Sequence, residues 1–379
     1  MDPAALRAEF PVLRRVAYLN AGTDGPLAAA AVKFAQAELE AELTEGRATP
    51  HFERRFELQA GLRAGYARVM GCAVEDVALT TSTSEGIAEV MAGMDLGPGD
   101  EIVSSDQEHP GVIGPLKAAK ALGATVRLVP FGELANAVTA TTTLVVCSHV
   151  GWVSGELAPA ELAELDIPVI LDGAQGSGAV PVDVEQLNCA AYAAAGQKWL
   201  CGADGTGMLY VSPAWRDRIR PTGPSYISFE DTTRGIDSPF KPDARRFDTP
   251  SLSREVAALS LGALELLERH GFDAVLARGR ELAAALAARL EEAGHTVAPR
   301  GDSTLVAWED TDPEATRDRL REEGIVVRNL PGRPLLRASV GAFNDDSDLD
   351  RLLAAITPDS RSWRGDRAAA EAAGPTRAS

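Results

Sequence analysis

Val169-Ile170-Leu171-Asp172-Gly173-Ala174-Gln175 is a short apolar run that ends in an acid and a glycine turn. After one further apolar run comes Ala195-Gly196-Gln197-Lys198-Trp199-Leu200. A run this short and this apolar reads as a strand buried on both faces. Similar runs surround it at Asp76–Thr80, Glu101–Ser105, Thr125–Val129, Leu144–Ser148, Ala190–Ala194 and Gly207–Val211, with helical or loop stretches between them. The alternation predicts an α/β fold built on a mainly parallel sheet of seven strands. In such sheets ligands gather beyond the carboxyl ends of the strands. Those ends are polar here: Thr80-Thr81-Ser82-Thr83, Ser104-Ser105-Asp106, Ser148-His149 and Asp172.

Downstream, Pro221, Gly223, Pro224, Pro239 and Pro242 break any long element, so residues 213–250 read as a loop-rich connection. Helical periodicity resumes at Ser253–Arg269 and Phe272–Ala293. Ser303–Trp308, Pro313–Glu323, Val326–Asn329, Leu335–Ser339 and Ser347–Ile356 then form an α+β pattern. The expected organisation is an N-terminal arm over 1–20, a large domain over 21–250 and a smaller C-terminal α+β domain over 251–357. The tail over 358–379, rich in Ala, Arg, Ser and Gly, has no sustained apolar face and is expected to be disordered.

Composition narrows the function classes. With 37 Lys+Arg against 55 Asp+Glu the formal charge is −18, which argues against nucleic acid or an anionic membrane as partner. A cationic pocket for a small ligand survives such a total. Cys72, Cys147, Cys189 and Cys201 form no CxxC pair and have no histidine at ligand spacing, so neither a disulfide framework nor a metal site is suggested. The first residues lack the pattern of a signal peptide, and no apolar run is long enough to span a membrane. The expected location is the cytoplasm.

An acid at one strand end and a lysine on the loop after the next strand would converge on one pocket. Asp172 and Lys198 could be a surface ion pair between neighbouring loops. They could also be the two parts that pyridoxal 5'-phosphate (PLP) needs, an amine for a Schiff base and an acid beside the pyridine nitrogen. Ser82 and Glu85 stand at capping-box spacing in front of a helix, which offers either a plain cap or a phosphate site. His109 lies past another strand end, where an imidazole could stack on an aromatic cofactor or be structural. Arg337, inside the apolar run Leu335–Ser339, could fork to a substrate carboxylate or form an internal ion pair.

Taken in order, the motifs resemble the class V aminotransferase family of PLP enzymes of fold type I, which includes cysteine desulfurases and isopenicillin N epimerase-like proteins. The resemblance runs over residues 16–357 through Tyr18–Thr23, Thr83–Ile87, Glu108-His109, Ser148–Val150, Asp172–Gln175, Gln197–Trp199, Gly205–Gly207, Arg246–Pro250 and Arg337–Asn344. It implies that Lys198 carries the Schiff base, Asp172 pairs with the ring nitrogen, Gln175 contacts the phenolic oxygen and His109 stacks on the ring. Thr83 and Ser84 would hold the phosphate, helped by Thr249 from the other subunit of a homodimer, with Gln197 as a further donor. Arg337 would grip the α-carboxylate of an amino-acid substrate, with Asn20 and Thr23 at the same entrance.

The departures limit what carries over. Ala195-Gly196-Gln197-Lys198 stands where the family commonly shows Ser-x-His-Lys, and Gly151-Trp152 replaces a small polar residue and Asn. Trp152 is thus expected to fill part of the substrate pocket or cover the ring edge. Arg328–Pro334 contains no cysteine where desulfurases keep their thiol, and Cys201 is no positional substitute. Arg333 in that loop could meet an acidic side chain or be solvated. The expected activity is an aminotransferase; C–S lyase and amino-acid epimerase are the alternatives, and a PLP-fold protein that binds without catalysis is the reading from another class. A nucleotide-binding enzyme is disfavoured because no glycine-rich phosphate fingerprint follows the first strand.

Overall fold

The computed structural model describes residues 1–357, so the expected tail lies outside the described residues. Its centre is a seven-stranded sheet. In spatial order the strands are β2 (Val77–Thr80), β8 (Gly207–Val211), β7 (Ala191–Ala195), β6 (Val169–Asp172), β5 (Thr142–Ser148), β3 (Glu101–Ser105) and β4 (Thr125–Val129). All neighbours are parallel except β8, which runs against both β7 and β2. Thr80, Ser105, Ser148, Asp172 and Ala195 therefore end on one edge of the sheet, and Gly207 of β8 begins there opposite Thr80 and Ala195.

Successive residues of each strand point to opposite faces, and both faces are covered. Val77, Leu79, Val145, Leu171 and Tyr192 join one apolar cluster with Leu58, Leu62 and Met70 of α3 (Thr49–Met70) and Leu264 of α7 (Arg254–Arg269). Ala78, Val146, Ile170, Ala193 and Leu209 join the other, under Ile87 and Val90 of α4 (Thr83–Gly93) and Val112 and Leu116 of α5 (Pro110–Ala121). The connection after β8 holds only the short α6 (Pro213–Arg216) and brief helical turns over Thr232–Asp237, kinked at Gly235, and over Ala244–Phe247, as its prolines require.

The smaller unit stacks α8 (Phe272–Glu292), α9 (Pro313–Glu322) and α10 (Asp346–Ile356) around an antiparallel sheet in the order β11 (Arg328–Asn329), β12 (Leu335–Ser339), β9 (Leu305–Glu309). The run expected as one strand over 326–329 is split at Val327. Its first part, β10 (Ile325–Val326), pairs instead with β1 (Ala17–Tyr18).

That pairing also changes how the N-terminal arm reads. Ala17 and Leu19 are fully buried in the small unit's apolar cluster. Upstream, α1 (Pro3–Ala8) is fixed by Arg7, whose guanidinium meets Asp345 at 3.0 Å and Asp348 at 2.7 Å. The expected start of the small domain at 251 is likewise not a break in packing. Helix α7 packs on α3 and on α2 (Ala29–Glu45), with Leu261, Leu264 and Leu267 in the large cluster. The small cluster takes its first side chains after the arm from α8, at Leu282. Among the described residues no helix is long and apolar enough to cross a membrane.

Candidate active site

The polar edge of the sheet opens into a cavity of about 190 Å³ at the junction of the two units. Asp172 closes β6, where its Oδ1 accepts the Ala174 N–H at 2.8 Å and so folds the following turn back on the strand. Lys198 stands on the turn after β7. A second segment backs this turn so closely that a Cβ on Gly25 would fall 2.1 Å from the Lys198 carbonyl oxygen, and only glycine fits there. Both side chains line the cavity, and among the described residues no ion pair joins them.

Thr83 and Ser84 begin α4. Ser82 caps it by accepting the Glu85 N–H at 3.1 Å, and the Glu85 carboxylate turns back to the Thr81 N–H and hydroxyl. The helix thus presents its first free N–H groups and two hydroxyls toward the cavity, a geometry that suits an anion. His109 caps α5 through Nδ1, which accepts the Gly111 N–H at 3.1 Å and leaves the ring proton on Nε2. Burial, reinforced by the charges of Lys198, Arg328 and Arg337, pushes its pKa down to about 4. It is therefore a neutral ring at physiological pH.

Gln175 donates to the Gly22 carbonyl at 2.8 Å and accepts from Trp199 Nε1 at 3.1 Å, which leaves one amide hydrogen free. Arg337 is fully buried, and burial, helped by nearby Arg328, pushes its pKa down to about 9. Its Nη1 donates to the Trp152 carbonyl, while Nε and Nη2 have no partner among the described residues. Burial also pushes Lys198 down against the opposing pull of Asp172, and burial pushes Asp172 up.

Of the residues expected from sequence, Thr23, Thr83, Ser84, His109, Trp152, Asp172, Gln175, Gln197, Lys198 and Arg337 line this one cavity. Asn20 stands one residue behind it: its Oδ1 accepts the Thr23 hydroxyl at 2.8 Å. Thr249 is outside the cavity of its own chain, tied to the end of β2 by its N–H to the Leu79 carbonyl at 2.8 Å. Arg333 is exposed and donates to the Asp106 carbonyl at 3.3 Å. Cys201 is buried outside the cavity with its thiol pushed up to about 12 by burial, and among the described residues no cysteine lines the site.

Two residues with a place here were not singled out from sequence. Arg328 lines the cavity, donates to the Thr23 hydroxyl at 3.2 Å and is the direct cross-strand partner of Arg337. The mirrored patterns Val326-Val327-Arg328 and Leu335-Leu336-Arg337 carried that signal. Glu108 is buried behind His109, where it accepts the Ser105 and Ser148 hydroxyls, each at 2.6 Å, and the Ser148 N–H at 3.1 Å. Burial lifts its carboxyl to about 7 despite those donors.

A mainly parallel sheet whose polar edge brings together a half-buried lysine, a buried acid and a helix start suited to an anion defines the class of enzyme the sequence suggested. The family described as Aminotransferase class-V matches residues 19–352, and the chain belongs to it. A probable cysteine desulfurase of Halalkalibacterium halodurans is 31 % identical over 73 % of this chain and 76 % of its own length. The isopenicillin N epimerase of Streptomyces clavuligerus is 29 % identical over 90 % of this chain and 94 % of its own. Among solved structures, the cystine C–S lyase C-DES in complex with its product cysteine persulfide superposes with a TM-score of 0.87 at 26 % identity. That likeness covers 92 % of this chain and 99 % of C-DES. A mutant of the same lyase, with glycine covalently linked to its PLP cofactor, matches equally well at 0.87.

Proposed function

We propose that this chain is a PLP-dependent enzyme that acts at the α-carbon of an amino acid, and that its reaction is C–S β-elimination. The observation that carries the reading is the pairing of Lys198 and Asp172 in one cavity with no ion pair between them, beside buried polar atoms that lack partners. Those atoms are Thr83 Oγ1, Trp152 Nε1, Gln197 Oε1 and Arg337 Nε and Nη2. Buried polar groups in native proteins are hydrogen-bonded, so such a cluster fits a polar ligand that supplies the partners. A phosphorylated pyridine aldehyde matches the donor set: an amine for its aldehyde, an acid for its ring nitrogen and a helix start for its phosphate.

Thr83, Ser84 and the first N–H groups of α4 hold the phosphate in this reading. With the cofactor bound, Asp172 would accept from the ring nitrogen, Gln175 would donate its free amide hydrogen to the phenolic oxygen, and neutral His109 would lie against the ring. Thr249 serves the site of a second copy in a homodimer. Bound PLP supplies an electron sink conjugated to the substrate's α-carbon. Arg337 grips the α-carboxylate through Nε and Nη2. Lys198, whose burial favours the neutral amine, takes the proton from Cα at Nζ. The Cβ–S bond then breaks with its electron pair on sulfur, and the three-carbon remainder leaves as an enamine that water converts to pyruvate and ammonia.

Elimination is favoured over transamination, the activity first expected, by the likeness to a C–S lyase over nearly the full length of both chains. A desulfurase route would need a thiol at the substrate, and the buried Cys201 is held outside the site. The test is the product set from cysteine and S-methylcysteine with the holoenzyme. Pyruvate and ammonia in equal amounts, with no need of an added 2-oxo acid, support elimination. Turnover that requires a 2-oxo acid and yields a new amino acid establishes transamination instead, and alanine with a persulfide on Cys201 establishes desulfuration.

A further inference from the structure

The cavity has one wall that differs in kind from the rest. Residues 151–156 form a tight loop between Val150 and Leu157, closed by Gly151 N–H to the Glu156 carbonyl and Gly155 N–H to the Gly151 carbonyl, both at 2.8 Å. From its tip the indole of Trp152 enters the lining of the cavity. The ring meets His109 edge-on, with centroids 5.3 Å apart at 90°, and the Arg328 guanidinium lies over it at 5.8 Å.

The loop is held from outside as firmly as from within. The Gly155 carbonyl accepts the Ser303 hydroxyl at 2.7 Å and the Gly301 N–H at 3.1 Å, and Val153 packs on Ala307 and Leu330. Gly155 has φ +84°, and a Cβ there would fall 2.7 Å from Ser303 Oγ and 3.0 Å from Leu305 Cβ, so the small unit sits directly on this backbone. The Trp152 carbonyl is gripped by Arg337 itself. The residue that anchors the carboxylate in the proposed function thereby also fixes the wall. The distance available to a substrate side chain is set between the two.

We infer that Trp152 is the specificity-determining residue for side-chain size: a fixed wall that admits amino acids with small side chains and rejects aromatic and long S-substituents. A wall that could swing away would give a gradual decline with size. A wall tied at its backbone, with its ring packed against His109 and Arg328, gives a steep one, because overpacking a rigid site is costly and each added methylene is worth roughly 10-fold or more. The inference rests on the reading of this cavity as an amino-acid site, and not on what leaves the substrate.

The experiment compares wild type, Trp152→Ala and Trp152→Phe as holoenzymes with two series. Equilibrium binding of alanine, 2-aminobutyrate, leucine and phenylalanine, followed by the change in visible absorbance, reads size selection without turnover. Pyruvate formation from S-methyl-, S-propyl- and S-benzylcysteine reads it in the reaction. Wild type should bind alanine and reject phenylalanine. Trp152→Ala should shift the phenylalanine-to-alanine and benzyl-to-methyl ratios by at least about 10-fold toward the large members, and Trp152→Phe by less. Unchanged ratios in both variants, or a wild type that binds phenylalanine as well as alanine, overturn the inference. If the binding series shifts while none of the cysteines yields pyruvate, the wall stands and the elimination reading falls.

Discussion

The two sides of the cavity are built in different ways. On one side Thr83, Asp172 and Lys198 each stand within a few residues of a strand end of one sheet, and the sheet's hydrogen bonds fix their spacing. On the other side Trp152 comes from the loop after β5 and Arg328 and Arg337 come from the smaller unit, and the two arginines meet the first group because the two units dock. A site of the first kind suits a group that must be held in one geometry through every turnover. A site of the second kind can vary its size and charge without disturbing the chemistry, which is what a family with one cofactor and many substrates requires.

The division can be broken by mutation. The largest effect is expected on the sheet side: Asp172→Asn should retain cofactor yet lower kcat about 100- to 1,000-fold, since a neutral amide no longer favours a protonated ring nitrogen. Steady-state kinetics beside the visible absorbance of the purified variant checks this, and a wild-type kcat removes Asp172 from the role. On the other side Arg337→Lys replaces a planar fork with a point charge and should raise KM about 10- to 100-fold with a smaller change in kcat. If Arg337→Lys acts on kcat alone while Asp172→Asn acts on KM alone, the two sides have been assigned the wrong way round.

The smallest expected effect sharpens the picture of the sheet side. Glu108 joins the ends of β3 and β5 through Ser105 and Ser148, and its pKa is lifted by burial to about 7. A carboxyl raised in the fold is a stabilising neutral group at low pH. That stability is complete below the unfolded value near about 4.3 and is lost as pH rises to the folded value. Glu108→Gln has no charge to desolvate. Its melting temperature should match wild type at pH 4 and exceed it at pH 8, by up to about 3 kcal/mol of stability. A difference that does not change with pH contradicts the burial of an ionising group there.

The same contrast explains what the sequence could disclose. Glu101–Ser105, Thr125–Val129, Val169–Asp172, Gly207–Val211 and Leu335–Ser339 are strands at the expected bounds, although Thr125–Val129 is a half-exposed edge strand and not one buried on both faces. Most residues of the sheet side were legible with them. Helices α2 and α3 were not placed, for a physical reason. Their buried faces carry Glu38, Glu42, Gln59 and Arg63, which hides the apolar period. The charges are satisfied by partners distant in sequence: Glu38 by Arg54 and Arg254, and Arg63 by a bidentate pair with Asp248.

On the other side of the cavity, sequence reached Arg337 and Trp152 but not the pairing of Arg328 with Arg337. It also named Asn20, which acts one residue back from the cavity, through Thr23. The first is set by the register of β11 on β12 and the second by the turn from Asn20 to Thr23, so each needs the pairing or turn geometry and not the residue pattern alone. Thr249 stands in a third position, since its expected role belongs to the site of another copy.

The central claim is that Lys198 is the amine that carries the cofactor. The most direct measurement is borohydride reduction of the holoenzyme followed by proteolysis and mass mapping of the fixed pyridoxyl group. The chain has five lysines, Lys33, Lys117, Lys120, Lys198 and Lys241, so the outcome is unambiguous. The account predicts one label per chain, on Lys198, and none on the Lys198→Ala protein. A label on any of the other four, or a Lys198→Ala protein that still fixes the cofactor and turns over, would contradict it.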